Sequence, residues 1–220
     1  MNAVIVGCGS MAKAVFAAQK KMNTDYPAVF IDRKYHADPA AMRDHLAAAI
    51  RDLPGSIDTV LTAMGFCGGS WADIDTDKTV VIPRVDDCIS LMLHTDDTWH
   101  FNLKQATHLY MRDAYGESFG AMREMLRKKY GRQKGDETFT GWFAPFTDLD
   151  VIDAGLYDCH SEKFRDKAAA EAAATGCNLN YVRGSNILME KLVSGRWDHQ
   201  FIVAPPHHLL SENDFRSPRG

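Results

Sequence analysis

Short, continuous apolar runs rich in β-branched residues punctuate the first part of the chain: Ala3-Val4-Ile5-Val6, Ala28-Val29-Phe30-Ile31, Thr59-Val60-Leu61-Thr62-Ala63-Met64 and Thr79-Val80-Val81-Ile82. Hydrophobicity that is continuous rather than alternating over so few residues predicts strands buried on both faces of a parallel sheet. Between these runs the apolar positions switch to helical spacing. Ser10 is placed to cap a helix over Met11–Met22, with Lys20 and Lys21 late, where the helix dipole favours them. Asp38 followed by Pro39 reads as a cap with proline at the first helical position, and Met42, Leu46, Ala49 and Ile50 mark the buried face of a second helix. Asp86 or Asp87 caps a third helix through Ile89–Leu93, with Cys88 in its first turn.

From His94 to Phe146 the alternation breaks. That stretch concentrates aromatic residues, Trp99, Tyr110, Tyr115, Tyr130 and Trp142 among them, and shows a helical pattern at Phe119, Met122, Met125 and Leu126. Its last part, Phe139–Pro145, reads as an aromatic loop suited to covering a crevice, with ordinary aromatic core as the competing reading. Alternation then returns: a strand at 150–153, an alanine-rich helix at 161–174, a strand at 178–182, a helix at 186–193 and a strand at 201–204. The expected fold is therefore α/β, an open, mostly parallel sheet from two βαβαβ-like halves, 1–93 and 147–210, with a helical, aromatic-rich insertion at 94–146. All of this is expected as a single unit, followed by a frayed tail at 211–220.

Composition narrows the function classes. With 220 residues and 45% hydrophobic content the chain can bury a full core, and a net charge of -4 supplies no basic face for nucleic acid. No apolar run approaches the roughly 18 residues that crossing a membrane requires, and the chain enters its first strand without a basic, signal-like lead. The expectation is a cytoplasmic protein. Five cysteines, an odd number at uneven spacing, do not form the pattern of a secreted disulfide framework, so reduced thiols available to metal are expected.

Three of those cysteines share a position. Cys8 in Gly7-Cys8-Gly9, Cys67 in Gly65-Phe66-Cys67-Gly68-Gly69, and Cys88 after Pro83-Arg84-Val85-Asp86-Asp87 each stand just past a buried-strand run. If the strands are parallel neighbours, their carboxyl ends open onto one crevice, the edge where open α/β sheets place ligands. Three thiolates suit a [4Fe–4S]-type iron–sulfur cluster with one iron left open, or zinc with a fourth position for water or a small-molecule substrate. Gly7, Gly9, Gly65, Gly68 and Gly69 would let backbone approach the bound cofactor. His36 and His207, each past a strand, are candidate acid–base groups or additional ligands, although a histidine at a strand end is as often a surface or capping residue. Cys159 and Cys177 lack the strand-exit placement and read as structural. The competing assignment is an NAD(P)-binding oxidoreductase: Gly7-Cys8-Gly9-Ser10-Met11-Ala12 fits G-x-G-x-x-G/A between a strand and a helix, with Asp32 about 20 residues further on.

The chain resembles a bacterial and archaeal domain-of-unknown-function family with members encoded near corrinoid-dependent methylamine-type methyltransferases. The likeness rests on Cys8, on Tyr35-His36-Ala37-Asp38-Pro39, on Gly65-Phe66-Cys67-Gly68 and on Ile82-Pro83-Arg84-Val85-Asp86-Asp87-Cys88-Ile89. It extends to Ile152-Asp153-Ala154-Gly155-Leu156 and to Trp197-Asp198 leading into Val203-Ala204-Pro205-Pro206-His207. Where Asp86 stands, the family often has histidine. The resemblance implies a corrinoid protein or methyltransferase as partner and a small one-carbon substrate, with a non-catalytic metal-handling accessory as the alternative.

Overall fold

The computed structural model describes residues 1–112 and 118–217; Tyr115 and the end of the expected tail, 218–220, lie outside the described residues. The fold is mixed α/β, and its strands form two sheets in two compact units: Met1–Leu103 with the segment from Ser185 onward, and Lys104–Gly184.

In the first unit, β1 (Ala3–Cys8), β2 (Ala28–Ile31), β3 (Thr59–Ala63), β4 (Thr79–Pro83) and β8 (Phe201–Ala204) are ordered β2-β1-β3-β4-β8. The first four run parallel and β8 closes the edge antiparallel to β4. Every residue of β1 is buried, which its continuous apolar run demands of a strand covered on both faces. One face carries α2 (Pro39–Arg51), whose Met42, Leu46 and Ile50 enter a core with Val4, Val6, Val60, Val80 and Ile82. Asp38 caps α2 by accepting from the Ala41 N–H at 3.0 Å. Elsewhere in the unit α1 (Ala12–Met22) packs on α7 (Ile187–Ser194), and Asn186 donates to the Ala14 carbonyl at 2.8 Å. Ser10 does not cap α1 as its position predicted. Residues Gly9–Met11 form a 3-10 turn and the Ser10 hydroxyl donates to the Cys8 sulfur instead.

The second unit contains a strand that hydrophobic patterning did not reveal, β5 (His108–Met111), which lacks β-branched residues. It pairs parallel with β6 (Asp148–Asp153), and β6 pairs parallel with β7 (Asn178–Arg183). The strands at 150–153 and 178–182 thus belong to a sheet of their own, with α6 (Glu162–Thr175) packed against β6 and β7. The segment Phe139–Pro145, expected as a loop, is largely the end of α5 (Arg132–Phe143): Phe139 and Phe143 are buried against Leu126 and Phe119 of α4 (Phe119–Tyr130) while Trp142 is exposed. The alternative reading as aromatic core describes Phe139 and Phe143.

The hairpin of α4 and α5 is pinned by charge. Asp136 accepts from Arg127 Nε at 2.8 Å and Nη2 at 3.0 Å, and from Arg123 Nε at 2.6 Å. The Arg127 and then the Arg123 guanidinium hold the Asp136 carboxyl down to about 2. Its contribution is therefore fully present above the ordinary carboxylate value of about 4 and lost as pH falls through about 2. Acid titration of thermal melting is expected to show Asp136→Asn with a flatter pH dependence than wild type across that window. Identical slopes would refute the assignment.

The residues expected as a frayed tail include α8 (Glu212–Arg216), a short helix with a capping box at Ser211 and Asp214 and with Phe215 fully buried. Among the described residues no helix is long and apolar enough to cross a membrane.

Candidate metal centre at the sheet switch point

Strand order places the site. From β1 the chain moves outward to β2, then crosses back to β3 on the other side of β1, so the connections diverge between β1 and β3. In an open parallel sheet this reversal leaves a crevice at the carboxyl ends, the usual ligand position. Cys8 ends β1, Cys67 follows β3 and Cys88 follows β4, all at that edge.

Each thiol is held differently. Cys8 is 2% exposed and pairs across the sheet with Ile31. Burial opposes its ionisation, but hydrogen bonds from His36 and from Ser10, the latter at 3.0 Å, outweigh it and hold the thiol below its ordinary value. His36 reaches Cys8 from the 3-10 turn Arg33–Ala37 that follows β2, a turn capped by Asp32 accepting from the Lys34 N–H at 2.9 Å. Cys88 is the first residue of α3 (Cys88–Leu93), is 5% exposed, and is fixed by Asp87, which accepts from the Ile89 and Ser90 N–H groups at 3.0 and 2.9 Å.

Cys67 occupies strained backbone. Its φ of 49° lies in the left-handed region, followed by Gly68 at 65° and Gly69 at 92°, a run that only short-range fixation can hold. The fixation is visible: the Phe66 and Cys67 N–H groups donate to the Val85 and Asp86 carbonyls at 2.9 and 2.6 Å, and Arg43 of α2 donates to the Gly69 carbonyl at 3.0 Å. Phe215 of α8 packs on Phe66, with ring centroids 4.9 Å apart. Although Cys67 keeps some surface, burial pushes its thiol well up, and the negative charges of Cys88, Asp87 and Cys8 push it further. Cys8, Cys67 and Cys88 thus share the carboxyl edge of the sheet. Among the described residues they do not form a set in which all donor atoms are within 4.8 Å.

Gly7, Gly9 and Gly65 make room for protein backbone, and Gly68 for the Pro39 side chain. A Cβ on Gly7 would stand 2.8 Å from the Ala63 carbonyl oxygen, and one on Gly65 would stand 2.7 Å from the Val85 carbonyl oxygen. On Gly9 the nearest atom would be the Ile31 carbonyl oxygen at 3.2 Å, and on Gly68 it would be Pro39 at 3.0 Å. Of the residues that suggested dinucleotide binding, Gly7 and Gly9 closely approach Ala63 and Ile31, and the Asp32 carboxylate caps the turn after β2 while staying largely exposed.

His207 does not join this edge. Because β8 runs antiparallel, Ala204 pairs with Val80 at the start of β4, and the chain leaves the sheet at the amino edge. There His207 adopts a φ of 64°, donates its N–H to the Thr76 carbonyl at 2.8 Å and pairs with Asp75 at 2.9 Å. The shared-edge expectation for His207 is corrected by strand direction, which its sequence position does not encode.

A different donor set escaped sequence reading. In the second unit, Asp153, Cys159 and His160 bring a carboxylate oxygen, a sulfur and an imidazole nitrogen within 4.8 Å of one another. The available signal was a Cys-His pair a few residues beyond a strand ending in aspartate. Cys177, by contrast, makes a long contact from its thiol to the Phe146 carbonyl at 3.7 Å.

Fold and edge together define an open, mostly parallel α/β protein with thiols lining its topological switch point. Residues 30–193 match a family described as "Protein of unknown function (DUF1638)", and since this is more than half of the chain, the chain belongs to that family. The matched span includes His36, Cys67, Cys88, Asp153, Cys159 and His160; Cys8 and His207 fall outside it. Neither the curated proteins nor the solved structures gave a match.

Proposed function

We propose that the chain holds a soft-metal centre on Cys8, Cys67 and Cys88 and binds a small molecule at the coordination position those three residues leave open. The observation that carries this reading is the arrival of three thiols, from three parallel strands, at the one switch-point crevice of the sheet. Ionised together, the thiols repel one another, and a cation between them converts that repulsion into attraction. Zinc–sulfur bonds of about 2.3 Å would hold three sulfurs about 3.8 Å apart. The three donors are not all within 4.8 Å of one another, so a single zinc ion would require the Cys67 loop to close in, and an iron–sulfur cluster would be held by the same three residues. Such a centre supplies Lewis acidity or electrons to a molecule bound at its open position.

The chain's own residues set up that position. His36, already hydrogen-bonded to Cys8, is placed to hold or move a proton beside it. Cys67, on its strained turn, is the one of the three residues that is only partly buried. The family resemblance adds the substrate class: a small methylated amine or a related one-carbon carrier, handled with a corrinoid protein or its methyltransferase. A non-catalytic metal-handling role with the same partner uses the same thiols without turnover.

Protein purified without oxygen and assayed for iron, sulfide, zinc and visible absorbance tests the reading. Iron with matching sulfide and a broad charge-transfer band, perturbed by methylamines, thiols or a corrinoid protein, is the expected result. Protein that carries no metal, and takes up neither zinc nor a reconstituted cluster, overturns it; bound nucleotide would direct attention to NAD(P) instead.

A further inference from the structure

We propose that Asp153, Cys159 and His160 form a second, independent metal site, in the unit spanning Lys104–Gly184, for a borderline divalent cation of the zinc type. One oxygen, one sulfur and one nitrogen donor already lie within 4.8 Å of one another. Zinc bonds of about 2.0 Å to nitrogen and oxygen and about 2.3 Å to sulfur place tetrahedral donors about 3.3–3.8 Å apart. His160 Nε2 and Asp153 Oδ2, at 3.0 Å, are already on that scale, so small side-chain rotations suffice.

The three donors are fixed by separate parts of the fold. Asp153 ends β6, the central strand of a parallel sheet, at the carboxyl edge where such sheets place ligands. Its second carboxylate oxygen accepts from the Gly155 N–H at 3.2 Å and its carbonyl accepts from the Gly184 N–H at 2.9 Å. Cys159 is buried in a small core with Val151, Phe164 and Ala168. The His160 ring stacks on Tyr181 of β7, with centroids 4.9 Å apart and planes at 23°. Preset in this way, the ligands lose little freedom on binding.

The donor chemistry selects the ion. A thiolate and an imidazole beside one carboxylate suit zinc and its neighbours and disfavour magnesium and calcium, which take oxygen. Binding releases the Cys159 proton to solvent. The His160 and Asp153 side chains are 62% and 39% exposed, so the fourth position faces water and can accept a solvent molecule or a small ligand. Without metal the same groups form a chain of hydrogen bonds that would do no more than brace the loop between Asp153 and Ser161.

Cobalt(II) titration of the full chain, in a Cys67→Ser background with the thiols kept reduced, separates the possibilities. Cys67→Ser alone is expected to bind one equivalent at this site with a thiolate-to-cobalt absorption. Adding His160→Ala should weaken that equivalent by at least about 100-fold, and adding Cys159→Ser should abolish its thiolate band. Because Cys159 is buried and its replacement risks misfolding, the exposed His160 keeps the test decisive. Superimposable titrations with and without His160→Ala, on folded proteins, overturn the proposal. The outcome does not depend on the switch-point centre: loss of metal there leaves the His160 comparison unchanged.

Discussion

Cys67→Ser is expected to lose most of the metal bound at the switch point, on the order of tenfold or more in content, while the metal-free protein melts as wild type does. Serine is a poor ligand for soft metals, and its neutral hydroxyl cannot replace a thiolate. The fold should tolerate the change because the contacts that hold this turn are main-chain ones. Cys67 donates its N–H to Asp86, and the Ser70 hydroxyl donates to the Cys67 carbonyl at 2.8 Å. The sulfur itself accepts from the Gly65 backbone, a hydrogen bond that the nearly isosteric serine hydroxyl can also accept. Metal analysis together with melting of both apo proteins decides it. Full metal content in the variant removes Cys67 from the ligand set, and a large drop in apo stability would assign the residue to packing.

Gly65→Ala should do broader damage, about 3 kcal/mol of stability together with loss of the centre. The added Cβ would stand 2.7 Å from the Val85 carbonyl oxygen, 2.9 Å from the Asp87 nitrogen and 3.0 Å from the Asp86 carbonyl carbon. All three are backbone atoms, so no rotamer change relieves the overlap and the two loops must separate. Separation breaks the Phe66–Val85 and Cys67–Asp86 hydrogen bonds and moves Cys67 away from Cys88. Gly141→Ala is the control: its Cβ meets nothing within 4 Å and it lies within helix α5, so stability should hold or rise by up to about 1 kcal/mol. Urea unfolding with parallel metal analysis reads both variants. A Gly65→Ala protein as stable and as metal-rich as wild type would show that the loops can shift without consequence to the site.

Only local features of the fold are legible in the residues alone. Continuous β-branched runs specified β1, β3 and β4, because a strand covered on both faces has no polar side to show. Asp38 with Pro39, and the pair Asp86-Asp87 before Cys88, marked where α2 and α3 begin, because a cap acts within three residues of itself, and the structure chose Asp87 of the pair. From these alone Cys8, Cys67 and Cys88 could be placed just past strands. The tertiary structure decided which strands are neighbours and which way they run, since pairing partners distant along the chain leave no periodic mark on it. So β5, without β-branched residues, joined β6 and β7 in a sheet of their own, and the antiparallel course of β8 carried His207 to the opposite edge from Cys88. The same dependence on folding explains Asp153, Cys159 and His160: their convergence requires a turn at Gly155, a buried Cys159 and the stacking of His160 on Tyr181 from the neighbouring strand. Spacing along a chain constrains a strand or a cap, but a site built across a loop and a neighbouring strand exists only once long-range contacts have set both.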